Sequence, residues 1–206
     1  MEKFFEKIRP IAAFIGLGLL GLHLILLLIY YIGAGASPFA IVSWVVELAL
    51  IGTLALAFFT KKEQLLKVVL VLLLAFYAVS LVLGGTNRLG LGEGGDVLGT
   101  LLMVFGILGM VSAIAALAVY LLRLALPETF DKPLFKMLVL ALVASVVLFS
   151  FICSIFVFIE AGKTAAEIVK AGGDAGRMFP TVMYCIDQYI VLPTAFLIGV
   201  FVHEGY

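Results

Sequence analysis

Charged residues are scarce in this chain, and their scarcity excludes a water-soluble fold. Of its 206 residues, 13 are Lys or Arg, 13 are Asp or Glu, and 65% are hydrophobic. Soluble domains are about a quarter charged and about half apolar. So few charged side chains cannot cover a protein of this size unless lipid contacts most of its outside. Soluble enzymes and disordered chains are excluded on this ground, and the formal net charge of zero gives no field that attracts nucleic acid.

Cysteine and histidine are also rare, with two of each, which argues against the common metal and redox motifs. Cys153 and Cys185 lie in apolar runs without a CxxC pair or a nearby histidine, so we expect free thiols that pack as small hydrophobic groups. Of the two histidines, His23 and His203, a single one lies within the predicted membrane core, which excludes a bis-histidine haem site there. HExxH, GxSxG and Walker-type motifs are absent. The sequence therefore predicts no cofactor and does not favour an enzyme.

What the chain does contain is six apolar runs, each long enough to cross a hydrocarbon core of about 30 Å at about 1.5 Å per residue. The pattern predicts an all-α fold, a polytopic transmembrane bundle of six helices that forms one domain over residues 1–206. The first run exceeds the about 7 to 15 apolar residues of a signal peptide, so it is predicted to be a retained helix. The predicted helices are residues 11–32, 39–59, 65–83, 97–126, 134–159 and 183–202.

Lysine and arginine are distributed unequally between the two sides that these runs define. Most of them precede the first run or lie between runs two and three and between runs four and five. The other side holds Arg88, Lys163, Lys170 and Arg177. Because Lys and Arg are enriched in cytoplasmic connections, both termini are predicted to be cytoplasmic and the protein to lie in the cell membrane.

The outer stretch at residues 161–181 is the one sizeable segment with a soluble composition. Its part from 164 to 170 is expected to form two helical turns that Gly172 and Gly173 terminate. One interpretation is a solvated connector with an ion pair between Lys163 and Glu167. The alternative is a lid or a docking element.

His23 and Glu47 lie near the middle of the first two runs. Counted from the turn that joins these runs, both are about 14–15 Å below the outer surface at about 1.5 Å per residue. An unpaired carboxylate at that depth costs about 3 kcal/mol on insertion scales, so Glu47 is expected to face inward with His23 as its nearest partner. The pair either handles a proton or another cation, or forms a neutral hydrogen bond that fixes two helices. Trp44, one turn before Glu47, either lines the same pocket or packs as an interfacial anchor.

A polar stripe is predicted on one face of the sixth run. If that helix starts near residue 181, Asp187 is about 9 Å below the outer surface and therefore shallower than Glu47. Pro193 interrupts the helix and frees backbone carbonyl groups, which either bind a cation or accept hydrogen bonds from neighbouring hydroxyl groups. The stripe either lines a cavity or contains an aspartate that snorkels to the interface. Its members are Tyr184, Asp187, Gln188 and Thr194.

Together these features favour a membrane protein that transports or conducts a small solute or ion through an internal polar cavity. About 200 residues leave few helices to enclose a path, so we expect the bilayer-embedded chain to form a homo-oligomer or to join other membrane subunits. The alternative is a non-transporting structural or accessory subunit of a larger membrane complex, with short loops and polar groups that only fix helices. The candidate solute- or ion-binding residues are His23, Trp44, Glu47, Tyr184, Asp187 and Gln188.

Overall fold

The computed structural model describes residues 2–62, 64–73, 75–76, 79, 97–130 and 132–204, and these residues form helices and turns with no strand among them. A 3-10 turn, Ala175–Met178, begins the last membrane span, and a π-helical turn, Asp187–Val191, interrupts that span. The helices are α1 (Glu2–Ala34), α2 (Pro38–Phe59), α3 (Gln64–Leu73), α4 (Val97–Ala125), α5 (Pro127–Phe130), α6 (Pro133–Lys170), α7 (Phe179–Ile186) and α8 (Leu192–Glu204).

Five helical stretches in the described part of the chain are long and apolar enough to cross a membrane. They comprise α1 from Lys7, α2, α4, α6 and the stretch Ala175–Val202, which we call the last span. Large apolar side chains such as Ile25, Val42 and Val111 are more than half exposed, as expected for surfaces in contact with lipid. The chain is therefore a multi-pass helical membrane protein. Helix α3 covers the beginning of the third predicted run. Most of the rest of that run lies outside the described residues, as do the glycine-rich residues 84–96 that follow it.

The helix α6 is longer than the predicted 134–159. It has 38 residues, or about 57 Å at about 1.5 Å per residue, and so extends well beyond a hydrocarbon core. The outer segment thus continues α6 as far as Lys170. Gly172 has a φ of 77°, and the N–H of Gly173 donates to the carbonyl of Ile168 at 2.8 Å, so a glycine cap in the left-handed region ends the helix.

Lys163 forms its ion pair with a glutamate other than the predicted Glu167. Lys163 Nζ instead contacts Glu160 Oε1 at 2.8 Å, one turn towards the membrane. Both spacings bring side chains together on a helix surface, so sequence spacing alone does not choose between the two glutamates.

The last span begins earlier than the predicted residue 183. Asp174 accepts a hydrogen bond from the N–H of Gly176 at 2.8 Å and so caps the 3-10 turn that leads into α7. The span therefore starts near Ala175, which puts Asp187 about 18 Å along it at about 1.5 Å per residue. The prediction that Asp187 is shallower than Glu47 is wrong for this reason.

Helix α1 runs antiparallel to the last span over most of its length. A Cβ at Gly33 would lie 2.8 Å from the Cβ of Pro180, and a Cβ at Gly16 would lie 3.1 Å from Ile198 Cγ2. Glycine at these two positions of α1 therefore permits close helix contact. The start of α1 and the end of α8 lie at one end of the bundle, which we call the terminal side, and the α1–α2 connection lies at the other end, which we call the turn side.

The largest core cluster joins α1, α2, α3, α4, α6 and α8, and it consists mainly of aliphatic side chains. A second cluster, nearer the turn side, contains Cys153 and Cys185, which form no disulfide bond. Both thiols are buried among apolar groups, as expected. Members of the large cluster include Leu20, Leu24, Ile51, Leu54, Leu70, Tyr120, Val139, Val143, Val146, Phe196 and Val200.

Candidate functional site

Three ionisable residues from three helical elements meet in the bundle interior, and we call them the triad: His23 on α1, Glu47 on α2 and Asp187 at the start of the π-helical turn. The Nε2 atom of His23 is 2.7 Å from Glu47 Oε1. Its Nδ1 atom is 2.7 Å from Asp187 Oδ1 and 2.8 Å from Asp187 Oδ2. The imidazole ring therefore lies between two carboxyl groups and connects α2 to the last span.

The triad is almost completely buried. His23 is 1% exposed, Glu47 4% and Asp187 0%. At about 1.5 Å per residue, the three residues lie about 14–18 Å from the turn-side ends of their helices, which is close to the middle of a hydrocarbon core of about 30 Å. Ionisable groups at this depth need partners, and here each one has another member of the triad as its partner.

The predicted contact between His23 and Glu47 is present, whereas the contact between His23 and Asp187 was not predicted. The contact was missed because the depth of Asp187 was counted from a helix start near residue 181, six residues after the start that the structure shows. The capping residue Asp174, followed by Gly176 in the turn, is the sequence signal that would have moved the start.

His23 forms one bridge to Glu47 and one bridge to Asp187, and each bridge requires one proton between a ring nitrogen and a carboxyl oxygen. A neutral imidazole carries one N–H and one acceptor nitrogen, so it can donate to only one of two ionised carboxylates. The second bridge then needs either an additional proton on the ring or a proton on the other carboxyl group. The triad thus holds two bridging protons, whichever side each proton is assigned to.

Gln188 completes the polar contacts of Asp187. Its side-chain Nε2 donates to Asp187 Oδ2 at 2.9 Å, so both oxygens of Asp187 are engaged. Glu47, in contrast, uses Oε1 alone in its hydrogen bonds with the described residues. The two carboxyl groups are therefore unequal: both oxygens of Asp187 are engaged, whereas Glu47 has one oxygen without a hydrogen bond to a described residue.

The triad lacks the geometry of a metal site. Within the described ranges, no set of three or more His, Cys, Asp and Glu side chains is arranged to hold a metal ion. The imidazole ring separates the two carboxyl groups and uses both of its nitrogens, so the oxygens do not converge on a common point as metal ligands must.

A π-helical turn places Asp187 in the triad. The N–H of Leu192 donates to the carbonyl of Asp187, five residues earlier, and Pro193 has no N–H. The carbonyl of Gln188 therefore receives a hydrogen bond neither from the N–H of Leu192, as it would in a regular α-helix, nor from residue 193. Thr194 Oγ1 donates to the carbonyl of Ile190 at 2.6 Å, so this member of the predicted stripe bonds to its own helix. Single π-helical turns occur frequently at functional sites.

Tyr184 lies one turn before Asp187 and stacks on Tyr30, with ring centroids 4.4 Å apart. Tyr30 was not singled out in the sequence, although it follows His23 by seven residues and so shares a helix face with it. The stacked pair is on the turn side of the triad. Trp44 has another role: its Nε1 donates to the carbonyl of Leu24 at 3.1 Å and ties α2 to α1.

A groove continues the triad face of the helices towards the terminal side. It encloses about 50 Å³, enough for water by volume, yet its walls are apolar. Four of its lining residues are small, and the groove begins at Leu20, one turn from His23. The lining residues are Ala13, Gly16, Leu17, Leu20, Leu54, Phe58, Leu66, Leu70, Ala195, Ile198, Gly199 and Val202.

The structure brings together four of the six candidate site residues, His23, Glu47, Asp187 and Gln188, and leaves Trp44 and Tyr184 in neighbouring packing contacts. Comparison of the chain with protein-family models, with curated protein sequences and with solved structures found no match.

Proposed function

We propose that this protein moves a small ion or solute across its membrane and that the triad is the polar centre of the pathway. The observation that carries the proposal is the hydrogen-bonded chain from Glu47 through His23 to Asp187, buried at mid-membrane depth. Ionisable residues inside membrane spans are costly, and they mark ion and substrate pathways and proton relays.

Helix packing alone does not require three buried ionisable side chains. Ser154 on α6, for example, satisfies its hydroxyl group with a bond of 2.6 Å to the carbonyl of Phe151 in its own helix. Small and neutral polar residues are sufficient to hold membrane helices together. Two carboxyl groups around a histidine add a large desolvation penalty without adding more packing contact, which favours a role that uses their charge.

The position of the groove supports access to the triad from the terminal side. Groove residues on α1, α2 and α8 continue the helix faces that carry His23, Glu47 and Asp187. A narrow apolar passage gates by dewetting, so it can remain dry at rest and conduct when it hydrates. The tyrosines Tyr30 and Tyr184 lie on the other side of the triad and give that approach a polar lining.

Replacement of Glu47 by glutamine tests the proposal. Glu47→Gln keeps the shape of the side chain and removes its charge, so it is expected to reduce pH-dependent or ion-dependent flux into proteoliposomes at least tenfold. The matched control is Glu160→Gln, the same change at an exposed carboxylate paired with Lys163 outside the core, and it is expected to leave flux unchanged. Wild-type flux in Glu47→Gln would contradict the proposal.

A second candidate function is that of a structural or accessory subunit, and the exposed apolar surface of α2 favours it. Side chains such as Phe39, Val42 and Val45 are more than half exposed and can contact either lipid or another membrane subunit. This candidate predicts no flux, a partner that co-purifies in mild detergent, and loss of that partner when residues 161–181 are altered. The transport function instead predicts flux from the purified chain, as a homo-oligomer or with added subunits.

A further inference from the structure

We propose that the triad is a proton-binding site that holds two protons at rest and takes up a third on Glu47, so that the proton is the ion this site handles. The proposal rests on the proposed function, because it names the ion for the same site. It is carried by the three short contacts of His23, by the burial of the triad and by the unequal use of the two carboxyl groups.

The first step is the charge of the resting triad. With two bridging protons, the triad is either an imidazolium between two carboxylates or a neutral imidazole with one carboxylate and one carboxylic acid. Both assignments give a net charge of −1, because they differ only in where the same protons lie.

The second step is that no residue described by the structure compensates this charge near the triad. Among the described residues, His23 is the one basic side chain within salt-bridge distance of Glu47 or Asp187. The other polar groups around the site, among the described residues, carry no formal charge: Gln188 of the π-helical turn, the phenol of Tyr31 on α1 and the phenol of Tyr184 one turn before Asp187. A net charge surrounded by hydrocarbon is unfavourable, so the site attracts one positive charge.

The third step is where that charge binds. Asp187 uses both oxygens, with His23 and with Gln188, and its side chain is 0% exposed. Glu47 has Oε2 left, and its side chain is 6% exposed. A hydronium ion transfers its proton to Glu47 Oε2 and leaves as water, both bridges stay in place, and the net charge of the triad changes from −1 to zero. A larger cation held by both carboxyl groups would have to displace a bridge, because the imidazole ring already lies between them.

Infrared spectroscopy of the purified full-length chain in liposomes tests the proposal without reference to transport. As pH is lowered, the C=O stretching band of a buried carboxylic acid is expected to grow, and its growth is expected to be lost in Glu47→Gln. The control Glu160→Gln is expected to keep the titrating band. A titrating band in Glu47→Gln equal to that of the wild type would overturn the proposal, as would the absence of any titrating band in the wild type.

Nitrogen NMR of labelled histidine gives a second measurement for the case in which Glu47→Gln does not fold. In a His203→Gln background His23 is the sole histidine, and both of its ring nitrogens are expected to be hydrogen-bonded while their signals shift as the third proton binds. Signals that do not change with pH would contradict the uptake of a third proton. A titrating band in a protein that shows no flux would support proton binding and contradict the transport function. Flux that does not depend on pH, in a protein without the titrating band, would support transport and contradict proton binding.

Discussion

The imidazole ring of His23 contacts a carboxyl group at each nitrogen, so its removal affects both bridges at once. His23→Leu leaves Glu47 and Asp187 buried without their partner, and breaking a buried pair in this way costs about 3–5 kcal/mol. We therefore expect a large decrease in thermal stability of the purified protein in detergent, measured by the loss of helical circular dichroism on heating.

The control for this prediction is the triple variant His23→Leu, Glu47→Leu and Asp187→Leu. It removes the charges together with their partner, and replacing a buried ionic group by apolar residues is often neutral or stabilising. The triple variant is expected to be more stable than His23→Leu alone and to lack flux. If His23→Leu were as stable as the wild type, the bridges would not hold the three helical elements together.

At this scale the sequence predicts the contact of His23 with Glu47 and names Asp187 as a candidate site residue, but it misses the contact of Asp187 with His23. The depths of His23 and Glu47 follow from their distances to the short turn between α1 and α2, whose position the apolar runs define well. Asp187 depends on the start of the last span, and the apolar run begins several residues after the helix does. The stacking of Tyr30 on Tyr184 requires the register between two helices that are far apart in the sequence, and no local pattern contains it.

At the scale of helical elements, the groove between α1, α2, α3 and α8 has a direct test at Gly199. A Cβ at this position would lie 3.5 Å from Leu70 Cδ1, an ordinary contact, so Gly199→Ala narrows the groove without forcing the helices apart. We expect flux in proteoliposomes to fall several-fold while thermal stability is unchanged or slightly higher, because alanine favours helix more than glycine does.

Gly18→Ala is the matched control, since a Cβ at Gly18 would meet no atom within 4 Å. The two variants add the same methyl group to a transmembrane helix, one in the groove and one outside it. Equal flux in both would show that the groove is not part of the route to the triad.

The elements differ in how well the sequence predicts them. The spans α2 and α4 match their apolar runs almost to the residue, because lipid contact selects the same residues that the hydropathy pattern counts. The extension of α6 beyond residue 159 is polar enough to be soluble, so that pattern ends while the helix continues. Pro193 is the local sequence signal for the π-helical turn. A proline alone, however, does not specify how the residues before it are rotated about the helix axis, and that rotation decides which side chains face the triad.

For the whole molecule, the directions of the helices predict where the two ends of the chain lie. Gly16 on α1 meets Ile198 on α8, so the start of α1 and the end of α8 share the terminal side. The contact of Leu102 on α4 with Cys153 and Cys185 places the start of α4 near the turn side, whereas α2 ends on the terminal side. The prediction of six spans requires one more crossing between α2 and α4.

Single-cysteine labelling in a Cys153→Ser, Cys185→Ser background checks this topology. A membrane-impermeant thiol reagent is expected to reach Lys7→Cys and Glu204→Cys from the same side, the cytoplasmic one, and Gly35→Cys from the opposite side. Labelling of the two ends from opposite sides would contradict the prediction of six spans.

The placement of His23 between α2 and the last span also links mechanics to electrostatics. Neither of these elements can move away from α1 at this level without opening one of the two bridges, and an open bridge leaves an unshared charge in an environment that cannot solvate it. A change of one elementary charge at Glu47 therefore alters the force that holds the helices together, and a displacement of the helices alters the affinity for that charge. The opening of the bundle and the occupancy of its centre are in this way two aspects of a single equilibrium.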